Sequence, residues 1–173
     1  EEREDVCQDV HRSDNAAVKS WLLNGVDPDT VDVKGVTFDR NQGASLLLIA
    51  ARCGSVEIVS MLLACGADVD KGKVQDGCPS LMVAVQDGYN DVVKKLIAAG
   101  CDVDKATTDD GATPLYIAAW EGHIDVVEKL IAAGCDVDKA TDFGLVKFVR
   151  KFFAAGMNFN KAVTVAKKHV GTS

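Results

Sequence analysis

The chain repeats itself every 34 residues, and no other property of the sequence restricts its fold as much. Ile97-Ala98-Ala99-Gly100-Cys101-Asp102-Val103-Asp104-Lys105-Ala106-Thr107 returns residue for residue as Ile131-Ala132-Ala133-Gly134-Cys135-Asp136-Val137-Asp138-Lys139-Ala140-Thr141. Gly66-Ala67-Asp68-Val69-Asp70-Lys71 stands one period upstream. A fixed period of this length builds stacked supersecondary units that touch only their neighbours, rather than a domain around one closed core.

The unit is read best from Asp110 to Gly134. Asp110-Gly111 signals a turn. Thr113 suits a helix N-cap, and Pro114 suits the first helical position, where a missing N–H costs nothing. Leu115, Ala118 and Ala119 form a narrow stripe at helical spacing, small enough for close helix approach. Gly122-His123 breaks that helix, and a second follows with Ile124, Val127, Leu130 and Ile131 on its predicted buried face. Gly134 ends it as a residue able to take positive φ. Each unit is therefore helix, tight turn, helix and polar connector. The run Thr113-Pro114-Leu115-x-x-Ala118-Ala119-x-x-Gly122-His123 resembles the ankyrin repeat, with Tyr116 in place of that family's usual His. The resemblance covers residues 10–160, weaker at both ends. It implies an all-α solenoid of about four stacked units, with hairpin-like fingers and irregular terminal caps.

The copies degrade in informative ways. Cys78-Pro79-Ser80 moves the proline one position and predicts an altered cap. Ser45-Leu46 replaces Thr-Pro. The first unit is legible mainly from Ala16 to Gly25, with Val18, Trp21 and Leu22 as its buried face, and residues 5–11 read as a capping helix. The glycines at 25 and 43 lie 18 apart, against 11 for the pairs 66/77 and 100/111, so the first finger carries seven extra residues. That insertion reads either as a tolerated surface loop or as a hairpin reaching toward a partner. The expected organisation is a capping unit at 1–25, the long finger at 26–42, repeats at 43–76, 77–110 and 111–144, and a divergent segment at 145–173. In that segment Gly134 and Gly156 are only 22 apart, as if a first helix were deleted. It reads as a cap or as a docking segment.

Charge is distributed unevenly. Residues 1–144 hold all 26 acids and 13 Lys/Arg, a net of −13, whereas residues 145–173 hold six Lys/Arg and no acid. An acidic solenoid argues against nucleic acid as the ligand, because phosphate contacts need clustered cations. No run of ~18 apolar residues is present to span a bilayer. Leu145, Phe148, Val149, Phe152 and Phe153 share one helical side, with Lys147, Arg150 and Lys151 elsewhere. This is either a repeat helix with a Phe-filled core face or a basic amphipathic segment for an anionic membrane surface or an acidic partner. A chain beginning at Glu1 rather than Met reads as processed or as a fragment.

Nothing in the sequence points to a reaction or a cofactor. The six cysteines form no C-x-x-C pair, and of them only Cys7 lies within five residues of a His, His11. They read as small buried or turn residues, and their free thiols favour a reducing compartment. The resemblance gives His123 a structural role in bonding within and between repeats. The recurrent Asp-x-Asp pairs lack calcium-loop spacing and read as carboxylates accepting turn N–H bonds. Asp142-Phe143-Gly144 spells a kinase tripeptide without any other kinase element.

What remains is a surface. The resemblance implies a concave face lined by first helices and fingers, where positions free of packing recognise a protein partner. By register these are Trp120/Glu121, Gln86/Asp87 and Arg52/Cys53, with His11/Arg12 at the cap. In the fingers they are Asp109, Asp110 and Ala112, then Gln75, Asp76 and Cys78, then Asn41, Gln42 and Ala44. The expected roles are Trp120 as apolar anchor, Asp109, Asp110, Asp76, Asp87 and Glu121 as an acidic rim, and Arg52 as a lone cation. The chain thus reads as a non-enzymatic interaction module or scaffold for one or more proteins. It needs no homo-oligomer, binds no nucleic acid, and meets membranes only peripherally or through a complex. The alternative is a subunit of a larger, membrane-associated assembly, docked through Phe38, Phe148, Arg150, Lys151 and Phe152.

Overall fold

The computed structural model describes residues 2–32, 43–73, 77–108, 111–136 and 139. Within them the chain forms eight helices in four pairs: α1 (Glu2–His11) with α2 (Asn15–Leu23), α3 (Leu46–Arg52) with α4 (Val56–Ala64), α5 (Ser80–Gln86) with α6 (Asn90–Ala98), and α7 (Pro114–Glu121) with α8 (Ile124–Ala132). Odd-numbered helices pack in one row, α1 on α3 on α5 on α7, and even-numbered helices in a second. This is the all-α solenoid that the 34-residue period predicts. One small ladder is added: β1 (Val31–Asp32) pairs antiparallel with β2 (Ala44–Ser45) at the base of the long finger.

Two first-row helices, α3 and α7, start on a side-chain cap. Thr113 Oγ1 accepts the Tyr116 N–H at 3.2 Å and Ser45 Oγ accepts the Leu48 N–H at 3.2 Å. Both have extended backbone, and Pro114 sits at the first helical position. In α5 the displaced proline is itself the N-cap and supplies no side-chain acceptor. Ser80, fully buried, is left with a hydroxyl that has no hydrogen-bond partner among the described residues. Ala50, Ala51, Ala84, Ala118 and Ala119 are buried along the first row. Their small side chains let neighbouring helices approach closely.

The second row repeats one buried triplet: Ile58-Val59-Leu62, Val92-Val93-Leu96 and Val126-Val127-Leu130. This corrects the expected face of α8, where Ile124 and Ile131 are half-buried and Val126 is fully buried. Among the described residues α8 packs on α7 and α6, and the arc these two cover is centred on Val126-Val127 rather than on an i, i+3, i+7 stripe. In α2 only Val18 is fully buried. Trp21 is half-buried, and its indole Nε1–H donates to Asp9 Oδ2 at 3.0 Å.

The second helices end alike. Gly134, with φ 86°, donates to the Ile131 carbonyl at 3.0 Å, and Cys135 donates to the Leu130 carbonyl at 3.2 Å. This is the Schellman closure, and Gly100-Cys101 and Gly66-Ala67 copy it. The residue after the glycine packs back on the last turn, which explains why small apolar Ala67, Cys101 and Cys135 occupy that place and are buried.

The Asp-x-Asp turns join one unit to the next. The first aspartate caps its own turn: Asp68 Oδ1 accepts from Asp70 N at 3.0 Å, and Asp102 Oδ1 from Asp104 N at 2.9 Å. The second reaches the following unit. Asp70 accepts from Asp102 N at 3.0 and 3.1 Å, and Asp104 accepts from Asp136 N at 2.9 and 3.0 Å. Asp29 accepts from Asp68 N at 2.9 Å across the long finger, so the seven extra residues leave this ladder unbroken. Lys71 and Lys105 add ammonium bonds to the Asp29 and Asp70 carbonyls.

Candidate partner-binding surface

The helix-to-helix turns hold the ends of the first-row helices in register. His123 Nε2–H donates to the Gln86 carbonyl at 3.0 Å, which bridges adjacent units. Gly88 beneath it has φ 72°, and a Cβ there would stand 2.7 Å from His123 Cε1, so only glycine fits both backbone and imidazole. The same logic holds one unit earlier, where a Cβ on Gly54 would stand 2.8 Å from Tyr89 Cε1.

The last turns of the first-row helices carry the register positions named from sequence. Trp120, Gln86 and Arg52 occupy equivalent places 34 residues apart, and α7 packs on α5 as α5 packs on α3. Trp120 is 39% exposed. Its ring stacks on Tyr116 one turn earlier in the same helix, with centroids 6.0 Å apart and planes at 28°. Glu121, Gln86 and Asp87 are exposed. The structure therefore brings Trp120, Glu121, Gln86 and Asp87 together at the ends of two adjacent helices.

Arg52 departs from the role expected of it. It is half-buried, and its Nε is buried without a hydrogen-bond partner among the described residues. It is thus partly taken up by packing rather than displayed as an open cation. Cys53 beside it is also half-buried. Its thiol donates to the His11 carbonyl at 3.4 Å and lies 3.5 Å from His11 Nδ1. Burial pushes the Cys53 thiol up, and the Arg52 charge offsets part of that. A thiol held neutral is a poor nucleophile. Arg12, at the cap end of the row, is exposed. The row therefore changes character along its length, from Arg12 and Arg52 at one end to Trp120 and carboxylates at the other.

Asp109, Asp110, Gln75, Asp76 and Asn41 in the fingers lie outside the described residues, as do Phe38, Phe148, Arg150, Lys151 and Phe152. Tyr116, whose ring contacts Trp120, is not among the positions named from sequence. The available signal was its place four residues before Trp120, which sets two aromatic rings on one helix face. Among the described residues no three His, Cys, Asp or Glu side chains are placed to hold a metal ion. No described helix is long and apolar enough to cross a membrane.

Stacked helix pairs closed by glycine turns and bonded through a periodic Asp ladder define a repeat solenoid. The family model described as ankyrin repeats (3 copies) matches residues 7–107 and 47–141, and the chain belongs to the ankyrin repeat family. No curated protein matches the chain. Ankyrin repeats generally mediate protein–protein interaction and are typically non-catalytic.

Proposed function

We propose that this chain holds one protein partner on the ends of its first-row helices, centred on Trp120, as a non-catalytic interaction module. The exposure of Trp120 carries this reading. Other large apolar side chains among the described residues are buried or half-buried; only Leu23, Tyr89 and Trp120 are exposed. Of these, Trp120 alone lies on the first-row helices, next to residues that packing does not dictate. Exposed aromatics at well-ordered positions are the commonest binding anchors. Asp109, Asp110, Gln75, Asp76 and Asn41 would extend the contact, whereas Ala44 and Ala112, named with them from sequence, are buried by packing; the proposal rests on none of them.

A photo-crosslinking amino acid placed at Glu121, at Asp87 and at Glu128 of the second row tests it in native extract. Crosslinks from positions 121 and 87 to one common protein, and none from 128, are expected. Crosslinks from the second row alone would place recognition on the other side. Alanine at Trp120 is expected to weaken binding of that protein by about 2 kcal/mol or more.

A further inference from the structure

The fold makes no visible use of the Arg52 guanidinium. Arg52 is half-buried, its Nε is enclosed, and it forms no hydrogen bond or ion pair among the described residues. An enclosed N–H without an acceptor costs free energy, and a desolvated charge without a counter-charge costs more. Carboxylates are plentiful, with 26 acids in residues 1–144 against 13 Lys/Arg. None of those described pairs with Arg52, including Asp87 beside the equivalent Gln86 one unit on. Helix capping does not account for it either. A cation suits the last turn of α3 through the helix dipole. The carbonyls of that turn already have acceptor roles, because Cys53, Gly54 and Ser55 donate to Ile49, Ala51 and Ala50 at 3.0, 3.2 and 3.0 Å.

The surroundings hold this side chain in place and keep it positive. The Cys53 thiol donates to the His11 carbonyl at 3.4 Å, which ties the end of α1 to the end of α3. The Ser13 and Ser55 hydroxyls bond each other and tie the same two turns again. Arg52 precedes Cys53 and exposed Arg12 follows His11, so a cation adjoins each side of this contact. A stem fixed by packing leaves a guanidinium with little freedom to lose on binding. Only Nε is enclosed and unbonded, so the two Nη groups form the edge that a ligand meets. A planar fork of N–H donors matches a carboxylate or a phosphate. The net of −13 over residues 1–144 opposes a phosphate dianion more than a singly charged carboxylate.

We infer that Arg52 is the receptor for one carboxylate, an Asp or Glu side chain, of the protein partner, with Arg12 adding to the local positive potential. This rests on the proposed function and deepens it, by giving the charge of the partner at the end of the row away from Trp120.

The test uses the full chain. Arg52→Met keeps the stem and removes the charge, so its urea midpoint should hold or rise. A fall in midpoint means that the guanidinium serves the fold, and the inference fails. Binding is read from the arginine Nε–H and the Cys53 and Gly54 amide resonances in a nitrogen–proton correlation spectrum. The probes are Gly-Ser peptides carrying two glutamates, two glutamines or two phosphoserines. The glutamate peptide should shift the Arg52 and Cys53 signals saturably, the glutamine peptide should not, and the phosphoserine peptide should bind no tighter than the glutamate one. Raising salt from about 50 to about 500 mM should weaken binding. Arg52→Met should abolish it, Arg52→Lys, which lacks the fork, should weaken it about tenfold, and Arg12→Gln should weaken it a few-fold.

No shift with the glutamate peptide overturns the inference. A phosphoserine peptide that binds about tenfold tighter makes the ligand a phosphate and overturns it as well. A response that emerges only after Asp39→Asn means that the chain's own long finger supplies the carboxylate, and the partner assignment falls. The crosslinks from Glu121 and Asp87 judge the interaction-module reading separately.

Discussion

Swapping two residues at the start of α5 should stabilise the protein measurably. Pro79 and Ser80 stand where α7 has Thr113 and Pro114. The backbone already matches, with φ/ψ of −77/157° at Pro79 and −92/157° at Thr113. Threonine therefore fits at position 79, and its extended ψ is what a following proline requires. Pro79→Thr with Ser80→Pro supplies a hydroxyl acceptor for the Met82 N–H, now bonded only to the Pro79 carbonyl at 3.0 Å. Because that N–H already has a partner, the cap gain is at the low end, about 0.5–1 kcal/mol. The second gain is larger. The Ser80 hydroxyl is buried and has no hydrogen-bond partner among the described residues, and an orphaned buried polar group costs about 1–3 kcal/mol. Losing one proline and adding another nearly cancels in unfolded-chain entropy. The sum is roughly 2 kcal/mol for the double variant and ~1 kcal/mol for Ser80→Ala alone. With an m value of about 2 kcal/mol/M, the double variant should move the urea midpoint up by about 1 M in far-UV circular dichroism. A fall in midpoint for Ser80→Ala would mean that the hydroxyl has a partner in the native protein, and the reasoning would fail.

The Asp ladder predicts an asymmetry. Asp70→Ala removes the acceptor of the next unit's Asp102 N–H and should cost about 1–2 kcal/mol, whereas Asp68→Ala, at an exposed carboxylate, loses one bond within its own turn and one from its own N–H side survives, for ~0.5–1 kcal/mol. Equal urea midpoints for the two variants would deny that the cross-unit bond carries the difference. Alkaline stability depends on two thiols. Burial, reinforced by flanking aspartates, pushes Cys101 up to about 12 and Cys135 up to about 11 from 9.0. Folding favours the neutral thiols, so their contribution is whole below pH 9 and is lost as pH rises through 9 toward 11–12, while the unfolded chain ionises first. Urea midpoints should therefore fall above pH 9 in the parent and fall less in a Cys101→Ala/Cys135→Ala variant; parallel decline would rule the thiols out.

The helix pairs were legible because the repeat offers several copies of one answer. Thr113 and Ser45 cap as their chemistry requires, and Pro79 fails to do so for the reason its displacement suggested. The one-face reading of α8 grouped Ile124 and Ile131 with Val127 and Leu130, whereas Val126 takes the fully buried place, because helical spacing names an apolar arc without saying which part of it α6 and α7 cover. The carboxylates of the Asp-x-Asp turns were legible as N–H acceptors. Which of the two aspartates crosses to the next unit was not, since a sequence period of 34 gives no sign of whether a bond closes within a unit or between units. Trp120 was singled out from its register alone. Its stacking on Tyr116 and the partial burial of Arg52 depend on side-chain directions that spacing leaves open.

The bond from Asp68 to Asp29 spans 39 positions of sequence where its counterparts span 32, yet it has the same length as they do to within 0.2 Å. Stacking geometry is thus indifferent to how much chain is looped out between units. Foreign segments of varied length could be spliced between Asp32 and Ala44 as cargo, with the clamp beneath them serving as a fixed mount.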